Sequence, residues 1–183
     1  MCVVSGWGVL VTSAATSAPD RYGGALRERF DGLVIVRDGE IGPAHPTRLD
    51  YLLSGLRDVP PEARLVTLLD DDALSPHGVE ALGRMLAALT AAQAGVVRAV
   101  PVTDALKRVD GRRIRGGVDR AGLFVPQTPQ VLRRDVLEDA LVASATTRPR
   151  DPATLLMRQG HSVGVVWGGQ PSPASTSVAG SDR

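Results

Sequence analysis

A short apolar run that ends in acidic residues constrains the fold more than any other feature of this sequence. Leu65–Leu69 (LVTLL) is followed directly by three aspartates at positions 70–72. An uninterrupted run of this kind is typical of a strand buried on both faces of a parallel sheet. Ser75 and Pro76 then place a capping side chain ahead of a proline at the first helical position, which predicts a helix start. The sequence therefore predicts a strand–turn–helix unit of an α/β fold.

The same alternation of apolar runs and helical patterns continues along the chain and predicts a mostly parallel sheet. We expect strands at 8–13, 33–36, 95–102 and 161–168, and helices at 22–30, 48–56, 76–89, 135–143 and 154–157. Asp110-Gly111 lies between two short basic runs and predicts a two-residue hairpin turn, hence an arm at about 105–118. We expect one domain over residues 1–170 and a disordered tail over 171–183, because the tail is small and polar.

Composition excludes several classes of function. The chain of 183 residues carries 21 basic and 20 acidic side chains, so its net charge predicts no nucleic-acid or membrane partner. No apolar run approaches the ~20 residues of a membrane span, and no basic segment opens a signal peptide, so we expect a cytoplasmic protein. Cys2 is the only cysteine, which excludes an internal disulfide, and Lys107 is the only lysine.

The three aspartates at 70–72 are the first candidate site. In doubly wound sheets, ligands bind beyond the carboxyl ends of the strands, which is where these side chains fall. Carboxylates at that position could hold Mg²⁺ together with the phosphates of a nucleotide. The alternative is a solvated turn whose acidic groups favour the helix N-terminus that follows.

The stretch VDRAGLFVPQTPQVL (118–132) is the second candidate site. Arg120 offers a planar fork suited to phosphate, and Thr128 a small hydroxyl that donates and accepts. The alternative makes Asp119 part of a surface ion pair and Thr128-Pro129 an ordinary turn. The arginines of the arm could also track nucleic acid, but no aromatic side chain lies there to stack on a base, so a solvated arm or subunit contact is favoured.

Three motifs in one order carry a resemblance to a known family. They are Thr-Asp-x-x-Lys at 103–107, Val-Asp-Arg-x-Gly-Leu at 118–123 and Gln-Thr-Pro-Gln at 127–130. Together with the strand–aspartate–helix unit, they resemble the 2-C-methyl-D-erythritol 4-phosphate cytidylyltransferases and their relatives that act on ribitol phosphate. The resemblance extends more weakly from about Gly8 to about Gly169.

This resemblance implies a Rossmann-like nucleotidyltransferase fold, a three-layer α/β sandwich with a mostly parallel sheet and a projecting β-arm. The implied reaction joins CTP to a sugar-alcohol phosphate of isoprenoid precursor synthesis and releases pyrophosphate. The acceptor phosphate attacks the α-phosphorus, so the enzyme mainly positions reactants and stabilises charge. The arm implies a homodimer, with a heteromer formed with an intact relative as the alternative.

The resemblance also implies roles for five residues. Asp72 falls where the family has the aspartate that meets ribose and Mg²⁺, and Ala73 follows it on the nucleotide side. Arg120 and Thr128 fall where the phosphate and hydroxyls of the acceptor are held, with Arg120 reaching across the dimer. Thr103 lies close to the family's acceptor-binding threonine, whose own position is Ala105 here.

The chain departs from the family on the nucleotide side. Its first strand is similar to the family's second, so the resemblance implies that the first βα unit with its glycine-rich phosphate loop is absent. Two family lysines are missing, because Lys107 belongs to the arm motif, and Ser75 replaces a family arginine. We therefore expect a degenerate relative with little or no activity. The alternatives are an active cytidylyltransferase with altered nucleotide contacts, or a misassigned start of the chain.

Overall fold

A computed structural model of the chain describes residues 6–12, 28–37, 46–74, 76–144 and 149–168, without the side chains of residues 72, 74 and 76. These segments form eight strands and four α-helices. The strands are β1 (Trp7–Thr12), β2 (Gly32–Arg37), β3 (Leu65–Leu69), β4 (Gly95–Pro101), β5 (Lys107–Asp110), β6 (Arg113–Gly117), β7 (Phe124–Arg133) and β8 (Val163–Trp167). The helices are α1 (Arg48–Leu56), α2 (Pro76–Ala88), α3 (Arg134–Ala143) and α4 (Pro152–Arg158).

Six of these strands form one sheet in the order β2-β1-β3-β7-β4-β8. Every pairing is parallel except the two made by β7, which runs antiparallel to both β3 and β4. Strands β5 and β6 pair only with each other and form the arm. The prediction of a mostly parallel sheet with a separate β-arm is therefore confirmed.

Helices cover both faces of the sheet and complete a three-layer sandwich. One apolar cluster joins Val9, Val66 and Leu132 of the sheet to buried leucines of α1, α3 and α4. A second cluster on the other face joins the sheet to Leu82 and Met85 of α2. Burial on both faces explains why β3 reads as a nearly continuous apolar run.

Element boundaries follow the sequence closely where local signals are strong. Helix α1 spans the predicted residues 48–56, and Thr47 caps it in a reciprocal pair with Asp50, whose Oδ2 accepts from the Thr47 amide at 2.8 Å. Helix α4 begins at Pro152 rather than at the predicted residue 154. The reason is that Asp151 caps it, its Oδ2 accepting from the Thr154 amide at 3.1 Å.

The turn of the arm lies one residue later than predicted. Asp110 pairs with Arg113, so the two turn residues are Gly111 and Arg112, not Asp110 and Gly111. Gly111 has a φ of +56°, and no other residue type in the described segments has a positive φ. Glycine at the first turn position satisfies a type II′ geometry, which explains the shift. The Asp110 carboxylate instead accepts from Arg115 at 2.6 Å across the hairpin.

Some predictions fall outside the described residues. The helix predicted at 22–30 lies outside the described residues up to residue 27. Residues 28–30 are described, and they form a turn and bend rather than a helix. Ser75 and the tail over 171–183 also lie outside. The single domain over 1–170 and the missing first βα unit stay predictions. Within the described segments β1 lies between β2 and β3 and is bonded to both.

We expect Leu52→Ala to lower the free energy of unfolding by about 2–5 kcal/mol, because it opens a cavity in the larger apolar cluster. Leu52 is fully buried there, whereas its neighbour Leu53 on α1 is only half-buried. Urea denaturation of Leu52→Ala and Leu53→Ala provides the measurement and its matched control. Equal losses in the two variants would contradict the placement of α1 on the sheet.

Candidate functional site

The carboxyl edge of the parallel strands is where sequence and fold bring polar residues together. Leu10 of β1 pairs with Leu69 of β3, so the two strands end close to each other. After Asp70, a 3-10 turn (Asp71–Leu74) contacts β1, β3 and β7 before α2 begins. Open α/β sheets bind ligands at such an edge, which makes it the candidate site.

Asp70 organises this turn. The Ala73 amide donates to the Asp70 carbonyl at 3.0 Å and to Asp70 Oδ1 at 3.1 Å. Ala73 is buried in the apolar cluster beneath α2, so its amide is engaged inside the turn. The backbone of Asp72 lies in the same turn, while its side chain is outside the description. The predicted Asp72–Ala73 nucleotide site is thus located at the carboxyl edge, and its proposed contacts stay predictions.

Thr128 lies in β7, which reaches this edge from the opposite direction. Gln130 pairs with Leu68, so Thr128 lies beyond the last residue of β3. Its side chain is almost fully buried, and its Oγ1 has no hydrogen-bond partner among the residues described. A buried hydroxyl without a partner costs free energy, and a ligand at the edge would supply one. Thr128 therefore lies in the interior of a strand and not in a surface turn, which was the alternative interpretation.

Arg120 and Thr103 are brought together, but away from Thr128. Arg120 Nη1 donates to the Thr103 carbonyl, and both residues are exposed beside the arm. Asp119 accepts from the Ala121 amide at 3.0 Å, so it forms a local turn rather than the alternative ion pair. From Phe124, where β7 begins, to Thr128 the strand advances by about 13 Å. Within one chain, the predicted acceptor residues therefore form two separate groups.

Arg98 is a residue of this edge that the sequence interpretation missed. It lies in β4, is only 9% exposed, and its Nη1 donates to the Thr128 carbonyl at 3.3 Å. Residues 95–102 were interpreted only as an apolar strand. The signal that could have identified it is a single arginine inside that run (VVRAV), since an arginine is seldom buried unless it has a partner.

Gln130, in β7, is a second such residue. It is fully buried, and its Nε2 donates to Asp151 Oδ1 at 2.9 Å. Its Oε1 has no partner in the described part of the chain. The same Asp151 caps α4, so β7 and the start of α4 share one carboxylate.

Among the described side chains, no group of three or more His, Cys, Asp or Glu residues could hold a metal ion. Mg²⁺ needs only one or two protein carboxylates when phosphate oxygens complete its shell. Asp70 and Asp71 place carboxylates at the edge, although one Asp70 oxygen is engaged by the turn. The helices of the described segments include none with the length and apolarity of a membrane span.

Comparison with known proteins agrees with this geometry. The family model of 2-C-methyl-D-erythritol 4-phosphate cytidylyltransferase (IspD) matches residues 32–173, leaving β1 outside the match. The cytidylyltransferase of that name from Neisseria meningitidis is 38% identical over 158 residues, which are 84% of this chain and 66% of the relative. A bifunctional IspD/IspF enzyme from Rhodospirillum rubrum is 35% identical over 164 residues.

That alignment covers 90% of this chain and 41% of the bifunctional enzyme, so the chain spans less than half of that relative. Among solved structures, the cytidylyltransferase from Thermus thermophilus superposes with a TM-score of 0.68 at 19% identity, over 88% of each chain. A structure from Anaerococcus prevotii has the same TM-score at 16% identity, over 91% of this chain and 90% of its own.

The fold is therefore that of an α/β nucleotidyltransferase, with its polar residues at the carboxyl edge of the sheet. The chain belongs to the 2-C-methyl-D-erythritol 4-phosphate cytidylyltransferase family.

We expect Thr128→Val to raise the free energy of unfolding by about 1 kcal/mol, because it removes a buried hydroxyl that has no partner in the described part of the chain. Thr154→Val is the matched control, since the Thr154 hydroxyl donates to Asp151 at 3.3 Å and its loss should destabilise by about 1 kcal/mol. Chemical denaturation of both variants measures whether the free energy of unfolding rises or falls in each. A loss of stability in Thr128→Val as large as in the control would show that the hydroxyl is already bonded.

Proposed function

We propose that the chain binds the sugar-alcohol phosphate acceptor of this family, 2-C-methyl-D-erythritol 4-phosphate or a close analogue, at the carboxyl edge. We further propose that it transfers a cytidylyl group from CTP only slowly or not at all. The observation that carries the first part is the buried Thr128 hydroxyl, which lies beyond the end of β3 and has no partner among the described residues. Thr128 is also the residue that the Gln-Thr-Pro-Gln motif assigns to the acceptor.

The sequence on the nucleotide side supports slow transfer. The resemblance implies two lysines that neutralise phosphate charge, and the only lysine, Lys107, lies exposed on β5 of the arm. Loss of a single charge-stabilising donor costs about 10²–10³ in rate, so loss of several leaves little turnover. The active enzyme with altered nucleotide contacts is the alternative.

A magnesium ion fits this proposal. Asp70, Asp71 and Asp72 follow β3 directly, and hard carboxylate oxygens suit Mg²⁺. When bound with the nucleotide, the ion would neutralise charge on the phosphates. The chain's own part is to hold these carboxylates at the edge through the turn that Asp70 caps. We also propose a cytoplasmic protein.

We propose in addition that the arm pairs with a second copy of the chain. Val109 and Ile114 are 58% and 69% exposed on the arm, although both are apolar. Because Arg120 precedes β7 and Thr128 lies inside it, an Arg120 supplied by a partner copy would complete the acceptor site. A heteromer with an intact relative is the alternative outcome.

The catalytic proposal predicts binding without efficient turnover. In calorimetry, 2-C-methyl-D-erythritol 4-phosphate should bind the wild-type chain, and Thr128→Val should abolish that binding. Pyrophosphate release with CTP and Mg²⁺ should be at least about 10³-fold slower in kcat/KM than for the N. meningitidis relative assayed in parallel. Comparable turnover that disappears in Asp72→Ala and Arg120→Ala would establish the active alternative. No acceptor binding would refute the proposal.

The dimer proposal predicts that Ile114→Asp shifts the chain toward monomer, because burying the new carboxylate in an interface is unfavourable. Val142→Asp is the control, since Val142 is 82% exposed on α3, away from the arm. Sedimentation velocity over a range of concentrations measures the shift. A monomeric wild type, or equal effects of both substitutions, would contradict an arm-mediated dimer.

A further inference from the structure

Arg98 is a buried cation at the carboxyl edge of the sheet. Val97 and Leu68 both pair with Gln130 of β7, so the three lie in one row across the sheet. The register of β4 shifts after Val97, so Arg98 pairs with Gln127, the residue before Thr128, while β3 ends at Leu69, one residue after Leu68. Arg98 consequently lies at the same edge as the aspartate turn and Thr128.

The partners of Arg98 do not balance its charge. Its Nη1 donates to the Thr128 carbonyl, a neutral group, and none of the described carboxylates forms an ion pair with it. Its side chain packs over the backbone that follows β8, where a Cβ added to Gly168 would come within 2.5 Å of the arginine Nε. A buried charge without a counter-charge is unfavourable, whereas an anion at this edge would compensate it.

We propose that Arg98 is a binding residue for a phosphoryl group of the ligand, which deepens the proposed function and rests on it. The guanidinium carries five N–H donors in a fixed fork, a geometry that matches phosphate oxygens. Its bond to the Thr128 carbonyl holds the guanidinium against the residue whose hydroxyl lacks a partner among the described residues. One ligand could then accept from the arginine and bond to the threonine at the same time.

Two ligands supply this chemistry, the acceptor phosphate and the triphosphate of CTP. Arg98 and Thr128 are in contact, and the family motif assigns Thr128 to the acceptor. Calorimetry with each ligand in separate titrations distinguishes the two sources. Inorganic pyrophosphate, titrated alone, probes the cation without either substrate.

The test uses the full chain and Arg98→Met, which removes the charge and keeps an apolar stem of similar length. Arg84→Met is the matched control, because Arg84 is exposed on α2 and pairs with the exposed Glu80. We expect Arg98→Met to weaken binding of the phosphate ligand by about ten- to one-hundred-fold, the value of a hydrogen bond to a charged group. The affinity of Arg98→Lys for the phosphate ligand should lie between those of Arg98→Met and wild type, and the affinity of Arg84→Met should equal that of wild type.

Thermal melting and circular dichroism show whether each variant is folded. A folded Arg98→Met that binds both substrates as tightly as wild type overturns the proposal. If Arg98→Met does not fold, Arg98→Lys is the test, because lysine keeps the charge but lacks the guanidinium fork. Ligand affinity in Arg98→Lys equal to that of wild type also overturns the proposal. If wild type binds neither substrate, the proposed function fails. In that case, pyrophosphate binding to wild type that is lost in Arg98→Met would still support an anion site at Arg98. Absence of pyrophosphate binding to wild type would refute that site.

Discussion

The reversed direction of β7 is the constraint on which the rest of this structure depends. Both neighbours of β7 in the sheet run the other way, so its first half meets their carboxyl ends. Residues that enter β7 therefore reach the edge at which β3 ends in its acidic turn. A parallel strand in this position would bring its last residues there instead. The Gln-Thr-Pro-Gln motif lies at the candidate site because β7 runs in the reverse direction.

Burial of polar groups around β7 has a cost that the apolar layers must offset. Thr128, Gln130 and Arg98 lie within an otherwise apolar sheet, and the first two carry oxygens without a partner in the described segments. Folding alone does not favour such an arrangement, because each polar atom loses water without a full replacement. The two clusters of buried leucine, valine and methionine side chains on the faces of the sheet supply the compensating free energy. A preorganised polar edge inside a stable sandwich is the usual compromise at a binding site.

Local patterns predicted much of the fold and part of the site. The leucine stripe of α1 and the apolar run of β3 gave correct boundaries, because short-range periodicity determines both. The arm turn was wrong by one residue, since the sequence shows that glycine is present but not which turn position it takes. The partners of Thr128 and Arg98 arise from pairing between distant strands, a property that no local pattern encodes. The order of the motifs gave the proposed acceptor role of Thr128, whereas Arg98 belongs to no motif and was identified only from the sheet register.

The carboxylate of Asp151 joins two parts of the molecule that are otherwise far apart in sequence. One oxygen accepts from Gln130 in β7, and the other caps α4. A change in the position of β7 would therefore act on the first turn of α4 through this carboxylate, in addition to the apolar cluster that contains Leu132 and the leucines of α4. A ligand bound at the edge as we propose would then slow amide hydrogen exchange in α4. Amide exchange in α4 would thus indicate whether a ligand is bound at the edge of the sheet.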